Sequence, residues 1–82
     1  MKSSIANIRQ HILTDILNDP SIELVPEQDL LLSGMLDSVS VMRLISWLEN
    51  EYQISVPAED VLIEHFGSLN QIKQYLDTRL DG

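Results

Sequence analysis

With 82 residues, 44% of them hydrophobic and 22% charged, the chain has the composition of one small globular domain. Disorder is excluded, although the size is near the limit at which an apolar core alone can hold a fold. Five basic against 13 acidic residues give a formal charge of −8, a field that repels nucleic acid and anionic lipid and leaves basic protein surfaces as partners. Cysteine is absent, which excludes disulfides and cysteine-rich zinc sites as staples.

Lys2 is followed by a segment broken at Arg9, Gln10 and His11, so no signal-peptide apolar region forms, and no later run reaches membrane-spanning length. The expected location is cytoplasmic. Ile5, Ile8, Ile12, Leu13, Ile16 and Leu17 recur on one helical face and predict a helix over 4–17, with Ser3 or Ser4 as cap and Asn18-Asp19-Pro20 as stop. From Pro20 to Asp37 no period is sustained, and a connection this long is usually functional or ordered by its own side chains. Leu24, Leu30, Leu31 and Leu32 are expected to tuck it onto the core.

A second helix is predicted over 38–51, where Val41, Leu44, Ile45, Leu48 and Tyr52 form one stripe. Pro57 is placed at the first position of a short third helix over 57–65, with Glu59 and Asp60 favouring its dipole and Gly67 ending the segment. Ser68 and Gln71 make a capping box for a fourth helix over 69–80, with Leu69, Ile72, Tyr75, Leu76 and Leu80 inward. The run Tyr52 to Val56 is too short, and too soon closed by proline, to compete as a strand. The expected fold is all-α, a single domain over 1–82 built as a small four-helix bundle with a long first loop and a short third helix.

The stretch Ser33-Gly34-Met35-Leu36-Asp37-Ser38-Val39 places a hydroxyl in the first turn of the second helix, just after a glycine-containing loop. Free N–H groups and the helix dipole converge there, so a phosphodiester on Ser38 would sit favourably without a cationic pocket. By itself Asp37-Ser38 is more often a mere N-cap. Val39 and Met42 project away from the core stripe beside Ser38 and are candidate partner contacts, Met42 through its adaptable thioether. Arg43 also points outward, either to a partner acid or the phosphate of a modification, or as a plain solvated charge. Trp47 is expected to be half-buried against the first helix or the long loop.

Catalytic alternatives find little support. His11 and His65 are the only imidazoles, both on helices where a surface role is commoner than a catalytic one. A serine hydrolase needs a base and an oxyanion hole in a cleft that so small a bundle can hardly form. No calcium-loop pattern, paired-histidine metal spacing or phosphate-cradling glycine loop with lysine is present.

Asp29-Leu-Leu-Leu-Ser-Gly-Met-Leu-Asp-Ser-Val, the helix after it, Ile54-Ser-Val-Pro and Phe66-Gly-Ser-Leu-Asn-Gln-Ile together resemble a phosphopantetheine-dependent carrier protein, over nearly the whole chain. The spacing from Gly34 to Ser38 and the stretch from Val56-Pro57 to Phe66 look most like free-standing aminoacyl or peptidyl carriers of nonribosomal peptide type. Fatty-acid carriers are less similar, because their second helix is typically acidic early, where this one has Ser40 and Arg43.

The resemblance implies a non-catalytic protein whose Ser38, flanked by the motif residue Asp37, receives the 4'-phosphopantetheine arm of coenzyme A from a phosphopantetheinyl transferase. The arm's thiol then holds an aminoacyl or acyl thioester for an adenylating or acyl-loading enzyme and for downstream tailoring or condensation enzymes. A monomer is expected. Two alternatives stay open, an acyl carrier for fatty-acid or polyketide synthesis and an unmodified acidic helical adaptor in which Ser38 is only a cap.

Overall fold

The computed structural model describes residues 4–81; residues 1–3 and 82, Lys2 and Ser3 among them, lie outside it. The elements in chain order are α1 (Ile5–His11), which continues as a π-wound turn over Ile12–Ile16, then α2 (Ser38–Tyr52), a 3₁₀ turn (Ala58–Asp60), α3 (Ile63–Phe66) and α4 (Leu69–Asp81). No strand forms among the described residues. α4 packs on α1 and α3, and the π-wound end of α1 packs on α2.

Apolar spacing explains this arrangement. Ile8 of α1, Ile12 of the π-wound turn, Leu44 and Leu48 of α2, Phe66 of α3, and Leu69, Ile72 and Leu76 of α4 are fully buried in one cluster, with Val41, Ile45, Tyr52 and Tyr75 among its other members. Each large aliphatic or aromatic side chain so buried contributes roughly 1.5–3 kcal/mol. Ser4 caps α1 by accepting the Asn7 amide at 3.2 Å, and Ser68 accepts the Gln71 amide at 3.3 Å at the start of α4.

α1 does not remain α-helical to residue 17. The Leu17 amide donates to the Ile12 carbonyl at 2.8 Å, an i→i+5 bond, while the Thr14 hydroxyl takes the Gln10 carbonyl at 2.7 Å and competes with the regular ladder. The turn ends at Asn18, whose positive φ of 54° is a conformation asparagine tolerates.

The long connection is stitched down at both sides. Arg9 Nε donates to the Leu24 carbonyl at 2.8 Å, the Leu30 amide to the Gly67 carbonyl at 2.7 Å, and the Asn70 amide to the Pro26 carbonyl at 3.2 Å. Leu24 and Leu30 are buried and Leu31 is half-buried, as the sequence suggests, but Leu32 is 73% exposed. Asp29 Oδ1 accepts the amides of Leu31 and Leu32 at 3.1 and 2.8 Å, an Asx-type turn that swings the chain outward just after Leu30.

The helix expected over 57–65 is broken. Pro57 is extended (φ −67°, ψ 153°) rather than the first helical residue, the chain makes one 3₁₀ turn, and α3 begins only at Ile63. Two further arginine clips close the bundle: Arg43 Nη2 to the Asp15 carbonyl at 3.0 Å, joining α2 to the end of α1, and Arg79 Nη2 to the Ser55 carbonyl at 2.6 Å, joining α4 to the segment after α2.

Candidate functional site at the start of the second helix

Ser38 is the first residue of the 15-residue α2, and Asp37 is its N-cap, extended at φ −90° and ψ −177°. Glycine is required just upstream, where Gly34 turns the chain at φ 81°. The Leu36 amide then donates to the Leu30 carbonyl at 2.8 Å, closing the loop and burying Leu36 directly before the cap. The Asp29-to-Leu36 stretch therefore aims Asp37 and Ser38 outward by anchoring the leucines on either side of the turn.

Ser38 is exposed, and its hydroxyl makes no hydrogen bond to any described residue. The Asp37 carboxylate accepts the Ser40 amide at 2.8 Å. That bond, with help from the Ser40 hydroxyl, holds the Asp37 carboxyl below the ordinary aspartate value. The N-terminus of α2 is thus already partly satisfied by Asp37, so an anion on Ser38 would share the dipole with a carboxylate.

An open apolar groove of about 530 Å³ adjoins the serine, lined by Leu31, Gly34, Leu36, Val41, Met42 and Val61. On the other side of Ser38, Val39 and Met42 are 68% and 57% exposed and share a shallow depression with Arg43 and Ser46. The expected pair, Val39 and Met42, therefore does flank the serine on the outer face. Arg43 lies beside them, but it is clipped to the Asp15 carbonyl rather than freely solvated.

Neither histidine lines the groove or the depression beside Ser38. His11 stacks on Trp47 at 4.1 Å between ring centroids and 7° between planes, and its Nδ1 lies 2.9 Å from the Asp15 carboxylate. Trp47 is half-buried against α1, where the sequence places it. The His65 Nδ1–H donates to the Asp60 carbonyl at 2.8 Å, and its ring lies 4.8 Å from that of Tyr75. No group of three or more metal-ligating side chains forms among the described residues, and no described helix is long and apolar enough to cross a membrane.

Sequence reasoning missed Val61 as a groove wall, and with it the exposure of Leu62 and Ile63. The apolar doublet Leu62-Ile63 was a usable signal, because a short surface helix rarely needs two adjacent apolar residues.

Residues 10–76 match the family model described as the phosphopantetheine attachment site. The chain belongs to the phosphopantetheine-dependent carrier proteins. It is similar to a D-alanyl carrier protein of Streptococcus suis (strain 98HAH33), with 31% identity over 72 residues that span 88% of this chain and 85% of that protein. As a carrier it takes a covalently bound 4'-phosphopantetheine, and carriers of this family work with a phosphopantetheinyl transferase and loading enzymes. The site fits such a group: an exposed hydroxyl without a competing hydrogen bond, at a helix N-terminus, beside an apolar groove.

Proposed function

We propose that Ser38 carries the 4'-phosphopantetheine arm and that the carrier transports an aminoacyl group between separate biosynthetic enzymes. The observation that carries the site is the exposed Ser38 hydroxyl, held without a hydrogen bond between the Asp37 cap and the groove. The aminoacyl class is supported by the similarity to a protein named for its D-alanyl cargo, and by Ser40 and Arg43 early in α2, where acids would be expected in a fatty-acid carrier. Service in nonribosomal peptide assembly is the narrower reading, supported by the Gly34–Ser38 spacing and the Val56-Pro57 to Phe66 stretch.

When bound, the arm supplies a thiol that holds cargo as a thioester. The chain's own residues present it. Asp37 caps α2 and fixes the direction of the Ser38 Cα–Cβ bond, while Leu30 and Leu36 anchor the approach loop. Val39 and Met42 offer apolar area to a partner. The serine proton must be taken by a base from the transferase, because Ser38 has none of its own within hydrogen-bonding reach among the described residues.

The test is the intact mass of the protein and of Ser38→Ala after incubation with coenzyme A and a promiscuous transferase. A gain of one phosphopantetheine that vanishes in the variant supports the site. No gain, where a control carrier is fully modified, would turn the reading to an acidic adaptor with Ser38 as a cap. Loading by an adenylating enzyme with an amino acid, set against malonyl transfer, tests the cargo class, and exclusive malonyl loading would overturn the aminoacyl assignment.

A further inference from the structure

Between the 3₁₀ turn and α3 the chain passes through one sharp joint at Val61, with φ −80° and ψ 77°. There the Leu62 amide donates to the Asp60 carbonyl at 2.9 Å, an inverse γ-turn. The same carbonyl accepts the His65 Nδ1–H at 2.8 Å. The Asp60 carboxylate reaches the opposite way, into α4: the Tyr75 hydroxyl donates to Oδ2 at 2.7 Å, and Arg79 Nη1 lies 3.9 Å from the same oxygen. Tyr75 is buried, its ring 5.3 Å from Phe66 and 4.8 Å from His65. One residue thus ties the joint with its backbone and fastens it to α4 with its side chain. Val61 at the joint lines the groove beside Ser38, and the exposed Ile63 lines a separate depression with Asp29 and Leu32.

We propose that Asp60 and Tyr75 are positioning residues for the modification of Ser38, their hydrogen bond fixing Val61, the groove wall that the transferase meets beside the serine. This rests on the reading of Ser38 as the attachment residue. A three-residue 3₁₀ turn and a four-residue helix cannot hold their own shape in water, so their placement depends on tertiary ties. The Asp60–Tyr75 bond is the side-chain tie from this segment to α4 that lies nearest the joint. Its loss in Tyr75→Phe takes from the Asp60 carboxylate the hydroxyl donor that ties it to α4.

The experiment uses the full chain with Tyr75→Phe and Asp60→Asn. The rate of modification is followed by intact mass against carrier concentration at saturating coenzyme A, together with amide exchange well below the melting temperature. Tyr75→Phe is expected to reach complete modification with KM for the carrier raised three- to tenfold and kcat within twofold. Exchange should accelerate in residues 58–66 alone. Asp60→Asn, whose amide oxygen still accepts from Tyr75, should stay within twofold of the parent in both readouts. An unchanged KM in Tyr75→Phe, or exchange accelerated equally through α1, α2 and α4, would overturn the positioning role. A parent chain left unmodified would instead refute the attachment reading and, with it, the role of this wall in attachment.

Discussion

The Ser40 amide donates to Asp37 Oδ1 at 2.8 Å, and Ser38 stands between the two as the first residue of α2. The candidate attachment residue is therefore oriented by its neighbour's capping bond. Asp37→Ala removes the cap of α2 and should lower the melting temperature. Modification at Ser38 should slow as well. Because the Asp37 carboxyl is held below its ordinary value, its contribution is present at neutral pH and is lost as pH falls through the folded-state value. The gap between the thermal melts of parent and variant should narrow in acid.

Val39→Asp and Met42→Asp should weaken recognition by the transferase or loading enzyme while leaving the melting temperature within a few degrees of the parent, since both side chains are exposed beside Ser38. Steady-state kinetics and thermal melts on the same preparations check this. Equal losses in both would place the side chains in the core rather than at the docking face.

Leu44→Ala and Leu48→Ala remove side chains that are wholly buried and should each cost about 2–5 kcal/mol, read from urea denaturation midpoints. In a domain this small, that is a large share of total stability.

Gly67→Ala should destabilise by about 1–3 kcal/mol. An added Cβ would stand 2.5 Å from the Ile63 carbonyl oxygen and 2.6 Å from Gln71 Oε1. The Gly67 carbonyl also receives the Leu30 amide, so exchange of that amide should rise in the variant.

Burial, followed by the hydrogen bond to Asp60, pushes the Tyr75 hydroxyl up to about 12. An unfolded tyrosine ionises near 10, so the native state favours the neutral phenol, and the associated stability is complete below about pH 10 and declines as pH climbs toward 12. Denaturation midpoints measured from pH 8 to 12 should fall less steeply in Tyr75→Phe than in the parent.

Much of this was legible in the sequence because it follows from spacing. The stripe from Val41 to Tyr52, the Asp37 cap and the outward set of Val39 and Met42 all obey the 3.6-residue period, and Trp47 found α1 for the same reason. What escaped depends on competition between local and distant bonds. The π-wound end of α1 reflects the Thr14 hydroxyl drawing on a carbonyl of its own helix, and Leu32 points outward because Asp29 turns the backbone before it. The break at Val61 goes with the grip of Tyr75, 15 residues beyond Asp60, on the Asp60 carboxylate. No local propensity encodes that grip.

Three of the chain's five basic residues, Arg9, Arg43 and Arg79, each hold a backbone carbonyl across a seam of the bundle. A guanidinium keeps its proton at any pH a protein survives, and an amide carbonyl has none to lose. These seams are accordingly indifferent to acidity. Acid should act on the molecule through helix ends such as the one capped by Asp37, and alkali through the Asp60–Tyr75 tie, with the groove between them altered from either side while the bundle stays shut.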